Sequence, residues 1–364
     1  MPPRLLLARP DHLGDVLLTL PAAGLLRQVL PTARITYLVG EAGKDAASHC
    51  PYVDAVLVAP FPPPDAPFDG EEWACIVGGE RRRLEGRFDI ALVFRPDDPW
   101  SGTLVAAAGI PARLGYDRPE TRPFLTHALT LSPRRHARLM AVDLAIDALE
   151  HLGFSAPRLP QISVADCVRP TEAEQIEAVA SLREADIDDR PIVLHPGSGW
   201  PLKNWPSQHW GAVAAALASR HHTAPLVVGG PAESALADAV VEASGRRAVT
   251  LNRPLSLGGL AALHRMARLV IATDSGALHL AAMMDTPVVG LYGPADPLVF
   301  TPGTAAHRQR VVWIGLPCSP CGRLDTPPCG AITEPACITA ISVEAVLKAT
   351  EELLIPAASS RGRE

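Results

Sequence analysis

Aromatic side chains make up only 5% of this 364-residue chain, and positive charge is not in surplus: 33 lysines and arginines stand against 39 aspartates and glutamates, a formal net charge of −6. A nucleic-acid binder normally shows a basic face interleaved with stacking aromatics, so that class is excluded and a small-molecule or glycan substrate is expected. No apolar run approaches the roughly 20 residues that span a bilayer. The opening Leu5-Leu6-Leu7-Ala8 is cut short by Arg9, Pro10 and Asp11, too soon for a signal peptide. The expected place is the cytoplasm, with peripheral contact at the inner face of the membrane the one membrane role left open. There is no short repeat, no low-complexity tract and no Gly-x4-Gly-Lys-Ser/Thr loop of the Walker kind.

Cysteine is sparse and unevenly placed. Of seven, Cys50, Cys75 and Cys167 are scattered, and in a reducing compartment such residues are buried thiols. The other four follow the spacing Cys318-x2-Cys321-x7-Cys329-x7-Cys337, which offers soft ligands for zinc or one or two regulatory disulfides. Only the first pair has the tight spacing of a zinc knuckle and the segment is rich in proline, so the expectation is no metal, with zinc as the alternative.

What is present is apolar residue, 48% of the chain, in a pattern that alternates strand with helix. Strand signals at Arg4–Ala8, Ala33–Val39, Ala55–Val58 and Ile90–Phe94 are interleaved with helical ones, first at Val16–Leu30, as a parallel sheet with crossover helices requires. Ala59–Asp69, with five prolines, reads as a loop, and Arg81-Arg82-Arg83 as a solvated face. A helix over Arg135–Leu152 ends at Gly153, and Phe154–Pro170 carries Pro157, Pro160 and Pro170 without periodicity, the signature of a linker. The alternation then restarts: helix Glu172–Glu184, strand Pro191–His195, helix Ser207–Ser219, strand Pro225–Val228, helix Ala232–Ala243, strand Ala248–Leu251, helix Leu257–Met266. A last helix, Val343–Leu354, packs back on either half. Two α/β domains are expected, residues 1–165 and 166–364, doubly wound and facing a cleft at the carboxyl ends of their strands.

The loops at those strand ends carry the chemistry. Strand Leu269–Thr273 runs into Asp274-Ser275-Gly276 and a short helix, which brings a hydroxyl, backbone N–H groups and the positive end of a helix dipole to one point, a phosphate site or a plain helix cap. His279 falls on the first turn of that helix and is within reach of the same anion. After the strand ending at His195, Pro196-Gly197-Ser198-Gly199 offers backbone and hydroxyl donors and Lys203 a mobile point charge. Glu233, in the first turn after Gly229-Gly230-Pro231, suits ribose hydroxyls as acidic residues do in dinucleotide folds, or simply complements a dipole. In the first half Asp15 opens a helix after Leu13-Gly14, a cap or a general base. Asp11 and His12 are rivals for that role. No Asp-x-Asp metal pair stands at the carboxyl end of a strand.

In order and spacing these elements resemble glycosyltransferase family 9, best known for the ADP-heptose heptosyltransferases of lipopolysaccharide core assembly. The resemblance runs through Leu13-Gly14-Asp15 with Thr19-Leu20-Pro21, Arg113-Leu114-Gly115-Tyr116 and His136, then His195-Pro196-Gly197-Ser198 with Lys203-Asn204-Trp205-Pro206. It continues with Gly229-Gly230-Pro231 and Glu233, Ser256-Leu257, Asp274-Ser275-Gly276 with His279, and Gly293-Pro294, and the cysteine segment looks like one found in many members. It implies a GT-B fold with the acceptor on the N-terminal domain and a nucleotide sugar on the C-terminal one. It further implies an inverting transfer in which Asp15 deprotonates the acceptor hydroxyl. Lys203, Ser198, Ser275, Gly276 and His279 would hold the diphosphate, Glu233 the ribose, and Asp274 the donor sugar, with no obligatory metal. Two positions depart from the family. Ser275 stands where many members carry Thr, which keeps the hydroxyl, and Pro10-Asp11-His12 replaces small hydroxyl residues on the acceptor side, alongside Gly14. The expected partners are ADP-heptose or a related nucleotide sugar and a glycan or glycolipid acceptor such as lipopolysaccharide core, met by a monomer. Arg134, Arg135 and Arg138 could meet a phosphorylated glycolipid or be solvated. Two alternatives come from other readings of the same residues: a non-catalytic sugar-nucleotide-binding protein with a cysteine metal or redox site, and a two-domain sugar-nucleotide epimerase.

Overall fold

The computed structural model describes residues 1–61, 70–155, 164–187, 190–303 and 305–354. Residues 62–69 of the proline-rich loop and 156–163 of the expected linker lie outside them. The chain divides into two compact units, Met1–Arg169 and Pro170–Glu364.

The first unit is built on β1 (Arg4–Arg9), α1 (Leu13–Val29), β2 (Arg34–Val39), α2 (Lys44–Ser48), β3 (Ala55–Val58), α3 (Gly70–Leu84), β4 (Ile90–Val93), α4 (Pro99–Ala107), β5 (Ala112–Tyr116), β6 (His127–Leu129) and α5 (Ala137–His151). All six strands are parallel, in the order β3-β2-β1-β4-β5-β6. β4 and the interior of β1, Leu5–Ala8, are apolar because helices cover the sheet on both faces, so neither face can be polar. On one face Leu6, Ala8, Ala91 and Val93 pack with Trp73, Trp100 and Leu104. α5 packs along α1.

The second unit contains α6 (Glu172–Glu184), β7 (Ile192–His195), α7 (Ser207–His221), β8 (Leu226–Val227), α8 (Ser234–Ala243), β9 (Val249–Thr250), α9 (Leu257–Met266), β10 (Leu269–Thr273), α10 (Gly276–Met283), β11 (Val288–Leu291), α11 (Pro297–Phe300), β12 (Gln309–Val312), α12 (Ala336–Thr339) and α13 (Val343–Leu354). Its parallel sheet runs β12-β11-β10-β7-β8-β9. Successive residues of a strand point to opposite faces. Accordingly Ile192, Leu194, Leu269 and Ile271 join Trp210, Val213 and Val346 on one side, while Val193, Val270 and Ala272 join Leu278 and Leu263 on the other. Each fully buried Leu, Ile or Val contributes about 1.5–3 kcal/mol. The last helix, α13, packs on α7 and on β10, β11 and β12 of its own unit.

Both strand orders are the same when counted within each unit: third, second, first, fourth, fifth, sixth. In such a sheet the connections leave in opposite directions from the first and fourth strands, and a crevice opens at their carboxyl ends. In the first unit that switch point lies between β1 and β4, and in the second between β7 and β10. Topology therefore singles out four loops, those after Arg9, Val93, His195 and Thr273. No helix among the described residues is long and apolar enough to cross a membrane.

Candidate functional site

At the switch point of the second unit the loops after β7 and β10 meet through one ion pair. Lys203 Nζ donates to Asp274 Oδ2 at 2.7 Å, across 71 residues of sequence. Lys203 closes a single helical turn, Pro201–Lys203, fixed from below by the buried side chains of Leu202 and Trp205. Trp205 is itself locked, edge-on to Trp210 at 5.3 Å and donating Nε1–H to Ile341 O at 3.1 Å. Asp274, 4% exposed, follows directly from β10, its N–H bonded to Leu291 O of the neighbouring strand. Both ends of the pair are thus held by the sheet.

Ser275 is the N-cap residue of α10 by position, yet its side chain does not cap the helix. Its Oγ is buried and has no hydrogen-bond partner among the described residues. The N–H groups of the first turn, beginning at Gly276, have no preceding carbonyl, so a hydroxyl, a helix N-terminus and an ammonium share one corner. His279 is buried at the end of that first turn, with Nε2 3.8 Å from Asp274 Oδ1. Ser198 is engaged within its own loop, with Oγ 2.6 Å from Trp200 O and 2.9 Å from Asn204 Oδ1. Its proton is therefore committed locally, and it shapes the loop that carries Lys203.

Glu233 ends a turn after β8 and accepts from Gly230 N–H at 2.7 Å. Its carboxylate lies against Gly197, where a Cβ would stand 2.1 Å from Oε1; only glycine leaves it room. His195 Nε2 is 3.9 Å away. Burial holds the His195 ring in its neutral form against the pull of Glu233. Beside these groups opens a cavity of about 400 Å³ lined by Val228, Gly229, Gly230, Thr250, Arg253 and Leu255, among others. It has the size of a nucleoside site, with apolar walls and a polar rim. The turn Leu251-Asn252-Arg253-Pro254 that forms its rim went unread in the sequence; the signal was its position just beyond β9.

The first unit has its own charged cluster, also at its switch point. Asp15, in the first turn of α1, accepts from Arg9 at 2.9 Å. Arg9 Nε lies 2.7 Å from Asp11 Oδ2, Asp11 Oδ1 lies 2.5 Å from Arg95 Nη1, and Arg95 Nε reaches Asp97 at 3.0 Å. Asp11, its side chain 5% exposed, is enclosed between two guanidiniums, whereas the Asp15 side chain is 29% exposed. Between these rivals Asp15 is the one that solvent and a substrate can reach. His12 precedes α1 without capping it through its side chain, and Gly14 lies in its first turn. Asp98 caps α4 by accepting from Trp100 and Ser101 N–H, both at 3.0 Å, and burial pushes its carboxyl up to about 6. Arg9, Arg95, Asp97 and Asp98 were not foreseen, because only the sheet order brings the loops after β1 and β4 together.

The four C-terminal cysteines are free thiols: Cys318 and Cys329 exposed, Cys321 half-buried, Cys337 buried. Burial and then its three neighbours push the Cys337 thiol up to about 11. Among the described residues no three His, Cys, Asp or Glu side chains are grouped so as to hold a metal ion. The segment instead braces the loop after β11, through Ser319 Oγ to Gly293 O at 2.5 Å and Gly322 N–H to Pro294 O at 3.0 Å. Arg135 is paired with Asp143 at 2.8 Å, a local structural role.

Residues 80–327 match the family described as glycosyltransferase family 9 (heptosyltransferase). The chain is 29% identical over 334 residues to lipopolysaccharide heptosyltransferase 1 of Pseudomonas aeruginosa, covering 87% of this chain and 86% of that one. Among solved structures, a family 9 glycosyl transferase from Veillonella parvula superposes with a TM-score of 0.72 at 25% identity, covering 97% of both chains. An Escherichia coli heptosyltransferase solved with ADP superposes with a TM-score of 0.69 at 21% identity, over 96% of this chain and 99% of that one. The fold is GT-B, two Rossmann-like doubly wound units.

Proposed function

The chain belongs to glycosyltransferase family 9, and from that premise we propose that it moves heptose, with inversion, from ADP-heptose to a hydroxyl of the lipopolysaccharide core. The observation that carries the reading is the corner made by Lys203, Ser275 and the N-terminus of α10 beside a nucleoside-sized cavity. A nucleoside diphosphate is what such a corner suits. The base and ribose fill the cavity, with Glu233 on the ribose hydroxyls, and the diphosphate takes the ammonium, the open N–H groups at Gly276, the Ser275 hydroxyl and His279. Ser198 supports the same loop. As the glycosidic bond breaks, negative charge grows on the diphosphate, and fixed donors aimed at it stabilise the transition state more than the ground state. The positive charge of Lys203 and the helix end does this without an obligatory metal. Adenine and heptose are favoured by the relatives, one solved with ADP and one named a lipopolysaccharide heptosyltransferase.

Asp15 takes the acceptor proton. Arg9 and the helix end place positive charge beside its carboxylate, and attack of the freed oxygen on the anomeric carbon displaces ADP with inversion. Asp274 releases Lys203 to the diphosphate and turns to the donor sugar. Asp11, His12 and Gly14 shape the acceptor side. On the same reading the protein works as a monomer in the cytoplasm and meets its glycolipid acceptor at the inner face of the membrane. The test is incubation with ADP-heptose and heptose-deficient lipopolysaccharide. The expected products are ADP and an acceptor heavier by one heptose, of inverted anomeric configuration. Recovery of an epimerised nucleotide sugar in the absence of acceptor would overturn the proposal.

A further inference from the structure

Asp11 occupies a loop position that the resemblance associates with small hydroxyl residues, and it is buried there as a carboxylate. Arg9 stands between it and Asp15, 2.7 Å from Asp11 Oδ2 and 2.9 Å from Asp15 Oδ1. We propose that Asp11 is a positioning residue for Asp15, acting through the Arg9 guanidinium that both carboxylates grip. The inference rests on Asp15 being the base of the proposed reaction.

The physical argument has two parts. The first is placement. Arg9 Nε and Asp11 Oδ2 stand 2.7 Å apart as a buried ion pair without a directed hydrogen bond at either atom among the described residues, so Asp11 holds the Arg9 charge in place while Nη2 donates to Asp15 Oδ1 at 2.9 Å. Asp11 is in turn held by Arg95 at 2.5 Å, and Arg95 by Asp97 at 3.0 Å. The chain Asp97–Arg95–Asp11–Arg9–Asp15 therefore fixes where one oxygen of Asp15 sits, and with it the orientation of the carboxylate toward an incoming hydroxyl. The second is charge. A carboxylate facing an Arg loses one to three units of basicity when the guanidinium is its alone. Here two guanidiniums are shared among three carboxylates, so Arg9 does not belong to Asp15 alone. Removing the charge of Asp11 would leave Arg9 and Arg95 to Asp15 and Asp97.

Other ionisable groups surround this cluster. His12 is its loop neighbour and Asp98 is committed to the N-terminus of α4. Tyr37 on β2 is kept protonated by burial. On α5, which packs along α1, Asp143 is held by Arg135, and on the α2 side Lys44 is paired with Glu41.

Asp11→Asn keeps the size and shape of the side chain. The measurement is the pH profile of kcat/KM for transfer from ADP-heptose to heptose-deficient lipopolysaccharide, with the Kd for ADP taken alongside. The acidic limb should move toward lower pH by about one unit and the plateau should drop about tenfold, with the Kd for ADP unchanged within about twofold. Asp97→Asn, at the far end of the chain, should move the same limb in the same direction by less, and it decides the matter if Asp11→Asn does not fold. A limb that superposes on the wild type in the variants that fold contradicts the proposal. Asp15→Asn separates this from the base assignment itself: if that variant transfers at the wild-type rate, the base assignment fails, and if it loses about a hundredfold or more while Asp11→Asn keeps the wild-type profile, only the role of Asp11 is lost.

Discussion

At the scale of the residue, the two sites are ion-pair arrangements that the fold holds in partly buried places. Lys203 is one of only three lysines, with Lys44 and Lys348, among the 33 basic residues. A lysine is a compact point charge on a flexible stem, able to leave Asp274 for a phosphate in a way a forked guanidinium is not. Lys203→Ala should therefore weaken ADP binding by about 10- to 100-fold, the worth of a charge-assisted hydrogen bond, as calorimetric titration would measure. An unchanged Kd would remove Lys203 from the diphosphate site. His264 offers a different residue-scale test. It is wholly buried on α9 with neither ring nitrogen hydrogen-bonded among the described residues, and burial, then His195, pull its pKa from 6.5 to about 3. The unfolded chain therefore binds a proton between those values that the folded chain refuses. Stability from this group is complete above pH 6.5 and is lost as pH falls toward 3, by up to a few kcal/mol. In urea titrations at pH 7 and pH 4.5, His264→Leu should lose less stability on acidification than the wild type. Equal losses would show that the ring is protonated in the folded state.

At the scale of the element, most of the alternation was legible because buried parallel strands are nearly continuous apolar runs between turn signals. Ala55–Val58, Glu172–Glu184, Leu257–Met266 and Val343–Leu354 have the bounds the sequence predicts. Elements with weaker patterns were missed. α3 carries Arg81, Arg82 and Arg83 in its last turn, so its charge run concealed a helix, and α4 begins at the proline of Asp97-Asp98-Pro99, which reads as a turn. β12 is an edge strand with only one residue buried, leaving no apolar run to read. Glu233 shows what elements add to a motif. The sequence marks Gly229-Gly230-Pro231 as a turn, but only the packing of that turn on the β7 loop explains Gly197. Gly197→Ala should push the Glu233 carboxylate aside, because the added Cβ meets Oε1 at 2.1 Å. The expected loss in ADP affinity is about tenfold, with a Tm shift of only a few degrees. Wild-type affinity in this variant would mean that Glu233 does not touch the nucleotide.

At the scale of the whole molecule, the same strand order appears twice, and in each unit the charged residues gather at the switch point that this order creates. That coincidence links the topology to the chemistry, since the crevice at a switch point is where backbone and side chains from two loops can reach one ligand. Asp15, Lys203, Glu233, Asp274 and His279 could be picked from the sequence because they follow strands and open helices. Their partners Arg9, Arg95 and Asp97 could not, because Arg95 is 84 residues from Asp11 and nothing local announces the pairing. In the proposed reaction Asp15 is the base and the second unit's switch point is the donor site. The most direct test is heptose transfer from ADP-heptose by the wild type and by Asp15→Asn, with ADP binding measured on the same preparations. If Asp15 is the base, Asp15→Asn loses at least about a hundredfold of transfer and binds ADP as tightly as the wild type. Transfer at the wild-type rate by that variant would contradict it.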